Sequence, residues 1–158
     1  MTFNLIDTHF GDSAVPRHIV CLTFDFDTMS GFIARGLTTP TALSRGEFGA
    51  RASPRILAFL QSRGIRSTWF TPGFTIETYP GECEAVVKTG HEIAHHSWAH
   101  VPPAHQNRGE EEADMERAND AIRRLTGRKA RGYRSPSWDL SPNTVDLLVS
   151  MAFSMIRA

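Results

Sequence analysis

Short apolar runs alternate with longer helical patterns along this chain, and that alternation narrows its fold more than any other feature. His18 to Phe24 is a run rich in strand formers that stops at Asp25-Phe-Asp27. Further strand-like runs cover Arg66–Phe70, His91–Ala94 and Arg131–Arg134, and another opens at Phe153 to Ile156. Between them lie helical patterns. Ser53-Pro54 has the residues of an N-cap and a first helical position, Ile56, Leu57, Phe59 and Leu60 supply an apolar face, and Gly64 ends it. A second helix is predicted from about Tyr79 to Lys88, a third from Glu110 to Leu125 closing on Gly127, and a fourth opening at Ser141-Pro142. Residues 28–52, with scattered Gly, Thr and Arg, read as a long loop of the kind that usually carries function. Strand, helix, strand, helix predicts an α/β chain built on a parallel sheet or a barrel. A length of 158 residues suits one domain.

The polar residues that are hardest to explain structurally fall at the strand ends. Asp25 and Asp27 close the first run, Pro72-Gly73 follow the second, His96 and His100 follow the third, and Arg134-Ser-Pro136 close the fourth. In β/α folds the carboxyl ends of the strands share one face, and sites are built there. Two carboxylates at i and i+2 after a buried strand are costly unless something neutralises them, and a divalent cation would do so. One Asp and two His form an N/O ligand set suited to zinc with a position left for water. In this reading Asp27, His96 and His100 are ligands, Asp25 is the base that takes a proton from water, and Arg134 keeps Asp25 ionised. A backbone N–H near Ser137 would face the developing oxyanion. Pro72, Gly73, Ser137 and Trp138 form the remaining candidate lining, and Trp98 and Trp138 either line a substrate or pack.

His91-Glu-Ile-Ala-His95 also spells H-E-x-x-H, a zinc-protease motif, with Glu110 to Glu112 as a distant third ligand. That motif needs a helix, whereas Gly90 stands immediately before it and Pro102-Pro103 soon after. Seventeen basic and seventeen acidic residues give zero formal net charge, so there is no electrostatic case for nucleic acid or an anionic membrane. No apolar stretch is long enough to span a bilayer, and the first eighteen residues lack a leader pattern. The expectation is a cytoplasmic protein with reduced thiols. Cys21 is expected in the core and Cys83 in a structural role.

The segments Thr23-Phe-Asp-Phe-Asp27, Gly90-His-Glu-Ile-Ala-His-His-Ser-Trp-Ala-His100 and Gly132-Tyr-Arg-Ser-Pro-Ser-Trp138 resemble the first three motifs of the polysaccharide deacetylase, or NodB-homology, family. The resemblance covers about residues 18–155. It implies a distorted (β/α) barrel with fewer than eight strands, incomplete here at the C-terminus. It gives Asp25 as catalytic base, Asp27, His96 and His100 as ligands of a divalent metal, most simply zinc, and Arg134 as the partner of Asp25. The D-x-D form is similar to peptidoglycan-deacetylase-like proteins and to hydrolases of cyclic ureides and imides. The implied substrate is therefore an N-acetylated amino sugar, or else a small cyclic amide. The family's later motifs, with a histidine general acid, would fall beyond residue 155, and a whole barrel needs ~200 residues or more. The resemblance thus implies a shortened form: an N-terminal extension over 1–18 and a partial catalytic domain over 19–158. An inactive fragment or binding module is the non-enzyme alternative, and a homo-oligomer stays open.

Overall fold

The computed structural model describes residues 19–157. Strands β1 (Thr23–Asp25), β2 (Thr68–Thr71), β3 (Glu92–His95), β4 (Gly132–Arg134) and β5 (Met155–Arg157) form one sheet in the order β1-β2-β3-β4-β5. Every neighbouring pair is parallel. Strand order that follows chain order means each crossover steps one place in the same direction, which is how a barrel wall is laid down. The architecture is a parallel half-barrel with helices. The predicted N-terminal extension, and the leader pattern sought in it, lie outside the described residues.

Helices α1 (Ser30–Ile33), α2 (Pro40–Ser62), α3 (Gly73–Thr78), α4 (Pro80–Lys88), α5 (Arg108–Thr126) and α6 (Thr144–Ser150) fill the crossovers. The main core lies between the sheet and α2, α4 and α5. Leu57, Leu60, Trp69, Cys83, Val86, Ile93 and Ile122 are buried together there. Each large apolar side chain so buried contributes roughly 1.5–3 kcal/mol. A second cluster, Met115, Tyr133, Leu147 and Leu148, joins α5 and α6 to β4. Helix α5 starts on a reciprocal capping box, Asn107 with Glu110, and ends on Gly127 at φ 78°. That is the left-handed position a glycine takes without strain. Among the described residues no helix is long and apolar enough to cross a membrane.

The structure corrects several expectations. Residues 28–52 are mostly helical, because α2 begins at Pro40 with Thr39 as its cap. Ser53-Pro54 therefore lies inside a helix rather than at its start. Pro54 has no N–H for the Ala50 carbonyl, and the Ser53 hydroxyl donates to that carbonyl instead at 2.9 Å. Helix α3 follows directly on Pro72, before the helix expected from about Tyr79, and α6 begins at Thr144, later than Ser141-Pro142. The first strand is shorter than its apolar run. Ile19, Val20 and Leu22 are exposed, and so is Cys21, which was expected in the core.

Candidate metal centre

Strand β1 delivers Asp25 and Asp27 to the carboxyl edge of the sheet, and the loop after β3 delivers His96 and His100. Asp27 Oδ1 lies 3.5 Å from His96 Nε2, and Asp27 Oδ2 lies 3.4 Å from His100 Nε2. The three side chains each offer one ligand atom, all within 4.8 Å of one another. Ligands held at ~2.0–2.1 Å around a tetrahedral zinc stand about 3.3 Å apart, so the spacing is that of a cradle. Asp27 Oδ1 and His96 Nε2 are buried and have no hydrogen-bond partner. Two orphaned polar atoms facing one another are costly unless an ion lies between them. The residues fit a divalent metal.

The cradle is built from several elements. His96 Nδ1 meets the Arg134 carbonyl at 2.7 Å. A carbonyl only accepts, so Nδ1 carries the proton and the Nε2 lone pair points at the centre. Thr75 on α3 and Ser30 on α1 donate to the Asp27 carbonyl at 2.8 and 2.7 Å. Ser97 and His100 sit at φ 59° and 60°, and the His100 N–H donates to Ser97 Oγ at 2.7 Å. Two left-handed non-glycine residues in a four-residue span are local strain held at the site that uses it. Burial alone would raise the Asp27 pKa. The His100 hydrogen bond and the nearby His96, His100 and Arg134 outweigh it and hold the carboxyl below its ordinary value. Burial pushes His96 down, against the pull of Asp27. His100 is raised: burial acts downward, but its hydrogen bond to Asp27 and the charge there win.

Arg134 is buried on β4, and its guanidinium grips Asp25 Oδ1 with one nitrogen and Thr23 Oγ1, at 2.8 Å, with the other. The Phe70 ring lies 4.1 Å beneath it. Asp25 is thus held in place beside the cradle. A cavity of about 840 Å³ opens over the centre, lined by Asp25, Asp27, His100 and Ser137 among others. Trp138 is 62% exposed, its ring 5.2 Å from the Arg134 guanidinium, and it is not among the residues that line the cavity.

Pro72 and Gly73 do not join this lining. Pro72 caps α3, and Gly73 packs so tightly that a Cβ there would meet Trp98 at 2.4 Å and the Ala118 backbone at 3.2 Å. Trp98 packs as well, edge-on to Phe74 and under Arg117 at 3.2 Å. The H-E-x-x-H segment lies along β3, not on a helix, so its histidines stand about 13 Å apart. His95 is spent on Met115 O and the Ser97 N–H. Glu111 is buried against Ser141 and Thr144, and Glu110 belongs to the capping box. The protease arrangement is absent among these residues. The sequence reading missed Thr23, Thr75 and the α1–α2 wall of the cavity. Thr23, two residues before Asp25 on a strand, shares its face, and that spacing was a usable signal.

The model of a family described as polysaccharide deacetylase matches residues 12–156. A peptidoglycan deacetylase of Helicobacter pylori is 31% identical over 138 residues, covering 85% of this chain and 47% of that protein. A solved structure from Mycobacterium smegmatis, described under the polysaccharide deacetylases, superimposes with a TM-score of 0.73 at 27% identity. The match covers 89% of this chain and 52% of that one. An allantoinase structure shares the fold with a TM-score of 0.74 at 21% identity, over 84% of this chain and 50% of its own. The chain spans about half the length of these proteins.

Proposed function

The chain belongs to the polysaccharide deacetylase family, and we propose that it is a zinc-dependent deacetylase that hydrolyses the N-acetyl amide of an amino sugar. The observation that carries this reading is the pair of orphaned atoms, Asp27 Oδ1 and His96 Nε2, facing each other beside an Asp25 clamped by Arg134. Asp27, His96 and His100 would hold the ion. When bound, a divalent ion there supplies Lewis-acid polarisation of the amide carbonyl and a lowered pKa for water. Asp25 takes one proton from water as the oxygen adds to the carbonyl carbon. Arg134 fixes one Asp25 oxygen, and Asp25 lines the cavity. The Ser137 backbone N–H faces the developing oxyanion. As the C–N bond breaks, the Asp25 carboxyl returns its proton to the departing nitrogen, leaving a free amine and acetic acid, which ionises to acetate in water. His105 lines the same cavity.

A sugar fits the space better than a small cyclic amide. The cavity of about 840 Å³ is towards the large end of the ~300–1,000 Å³ typical of clefts that take drug-sized ligands. The test is metal content after dialysis, together with acetate release from N-acetylglucosamine oligomers. One zinc per chain and measurable acetate are expected. Asp25→Asn should keep the zinc and lose turnover by about 10²-fold or more. Asp27→Ala and His96→Ala should lose the zinc. A protein that holds no zinc, or an Asp25→Asn variant as active as the parent, would sink the proposal.

A further inference from the structure

The wall of the cavity opposite the strand ends comes from α1, the turn after it and α2, and it carries two arginines without a carboxylate partner among the described residues. Arg35 and Arg45 both line the cavity, and neither forms an ion pair among the described residues. The acids nearby are already engaged. Asp25 is held by Arg134, Asp27 faces the two histidines, and Glu47 pairs with Arg51 at 3.2 Å.

The backbone that carries both arginines lies close to the metal centre. A Cβ on Gly31 would lie 3.5 Å from His100 Nδ1, so α1 passes directly behind that ligand. Arg35 Nε donates to the Gly31 carbonyl at 2.7 Å, which anchors the guanidinium one turn away and leaves its terminal N–H fork free. On α2, a Cβ at Gly46 would meet Thr28 O at 2.6 Å and Met29 Cα at 2.7 Å. The helix backbone therefore rests on the residues that follow Asp27. Arg45 and Phe48 flank that contact, and the Phe48 ring is 70% exposed on the cavity wall. The exposed Phe48 ring thus lines the same cavity as two guanidinium groups that have no acidic partner among the described residues. The ring suits the apolar C–H face of a sugar, and the forks suit a carboxylate.

We propose that α1 and α2 form an acid-recognition subsite in which Arg35 and Arg45 bind a carboxylate on the substrate and Phe48 stacks on its sugar ring. The substrate class is then an N-acetylated amino sugar bearing a carboxylate, rather than a neutral one. This rests on the deacetylase reading for its catalytic meaning, but the recognition itself needs no turnover. The pocket charge agrees: a divalent ion with Asp25, Asp27, Arg134 and the two arginines leaves a net positive cavity.

The experiment compares three probes by calorimetric titration at pH 7: N-acetylmuramic acid, its methyl ester, and N-acetylglucosamine. The acid should bind about tenfold or more tightly than its ester, a gap of ~1.4 kcal/mol that shrinks as salt is raised. Arg35→Gln and Arg45→Gln should each narrow the acid-to-ester ratio, and the double variant should bring it near one while zinc content stays at the parent level. Phe48→Ala should weaken all three probes alike. Equal binding of acid and ester, binding of none of the probes, or an acid preference that survives the double variant would overturn the proposal. The same titrations on metal-free protein separate this outcome from the other. If zinc never binds, the deacetylase reading fails, whereas the acid-to-ester ratio still reports on the arginines.

Discussion

Arg134 performs two tasks from one residue, and they can be separated. Its backbone carbonyl sets the His96 tautomer, while its side chain bridges Asp25 and Thr23. Arg134→Lys keeps the carbonyl and one positive charge but loses the two-armed grip. Zinc content should therefore stay at the parent level while kcat falls by roughly 10–10²-fold. Equal loss of zinc and rate would refute that division. Thr75 tests the support of Asp27: Thr75→Val removes the 2.8 Å hydrogen bond to the Asp27 carbonyl and should weaken zinc binding by about 10-fold or more, read by competition with a chelator. The two cysteines give a further contrast. Burial pushes the Cys83 thiol up from 9.0 to about 12, whereas Cys21 is exposed. Iodoacetamide at pH 8 should label Cys21 in the folded protein and reach Cys83 only after unfolding. The sign of the linkage follows. Between pH 9 and about 12 the unfolded chain loses the Cys83 proton and the folded one keeps it, so stability falls as pH rises through that window. A denaturation midpoint that climbs over the same window would contradict it.

At the level of elements, the strand ends were legible and the first crossover was not. The alternation of apolar runs and the glycines Gly64 and Gly127 are local signals, and the elements they mark stand close to where they were expected. Residues 40–52 misled because Gly46 and Gly49 read as loop residues. Their purpose is tertiary: Gly46 lets α2 touch the turn after β1, which no local pattern reveals. Ser53-Pro54 misled for the converse reason, since an N-cap pair and a repaired mid-helix proline have the same letters. Both points can be tested. Gly46→Ala places a methyl group against the Thr28 and Met29 backbone, which cannot swing aside, and should cost about 1–3 kcal/mol in chemical denaturation. Ser53→Ala leaves the buried Ala50 carbonyl unpaired and should cost about 1–2 kcal/mol. If Gly46→Ala is neutral, the close seating of α2 is wrong.

Across the whole molecule, the candidate centre closes a gap that the sheet leaves open. Strand order puts Asp25 on β1 and Arg134 on β4, with β2 and β3 between them, and β1 has no neighbour on its outer side among the described residues. Asp25–Arg134 spans that width at the carboxyl edge, and an ion held by Asp27, His96 and His100 would add a second tie between β1 and the loop after β3. The convergence of these side chains was readable from their positions after successive strands. Their distances were not, since those depend on how far the half-barrel curves. A ligand that binds only the folded state stabilises it by RT ln(1 + [L]/Kd), about 4 kcal/mol at a thousandfold excess over Kd. For a chain of this size ~1 kcal/mol moves Tm by roughly 2–4 °C, so zinc at that excess should raise Tm by about 8–16 °C over chelator-treated protein. His100→Ala removes one of three ligands but leaves Asp25–Arg134 intact. It should therefore abolish most of the zinc-dependent rise while leaving the metal-free Tm close to that of the parent. A zinc effect of full size in His100→Ala would place the ion elsewhere. A parent Tm indifferent to zinc at that excess would mean that the facing atoms of Asp27 and His96 are bridged by something other than a metal.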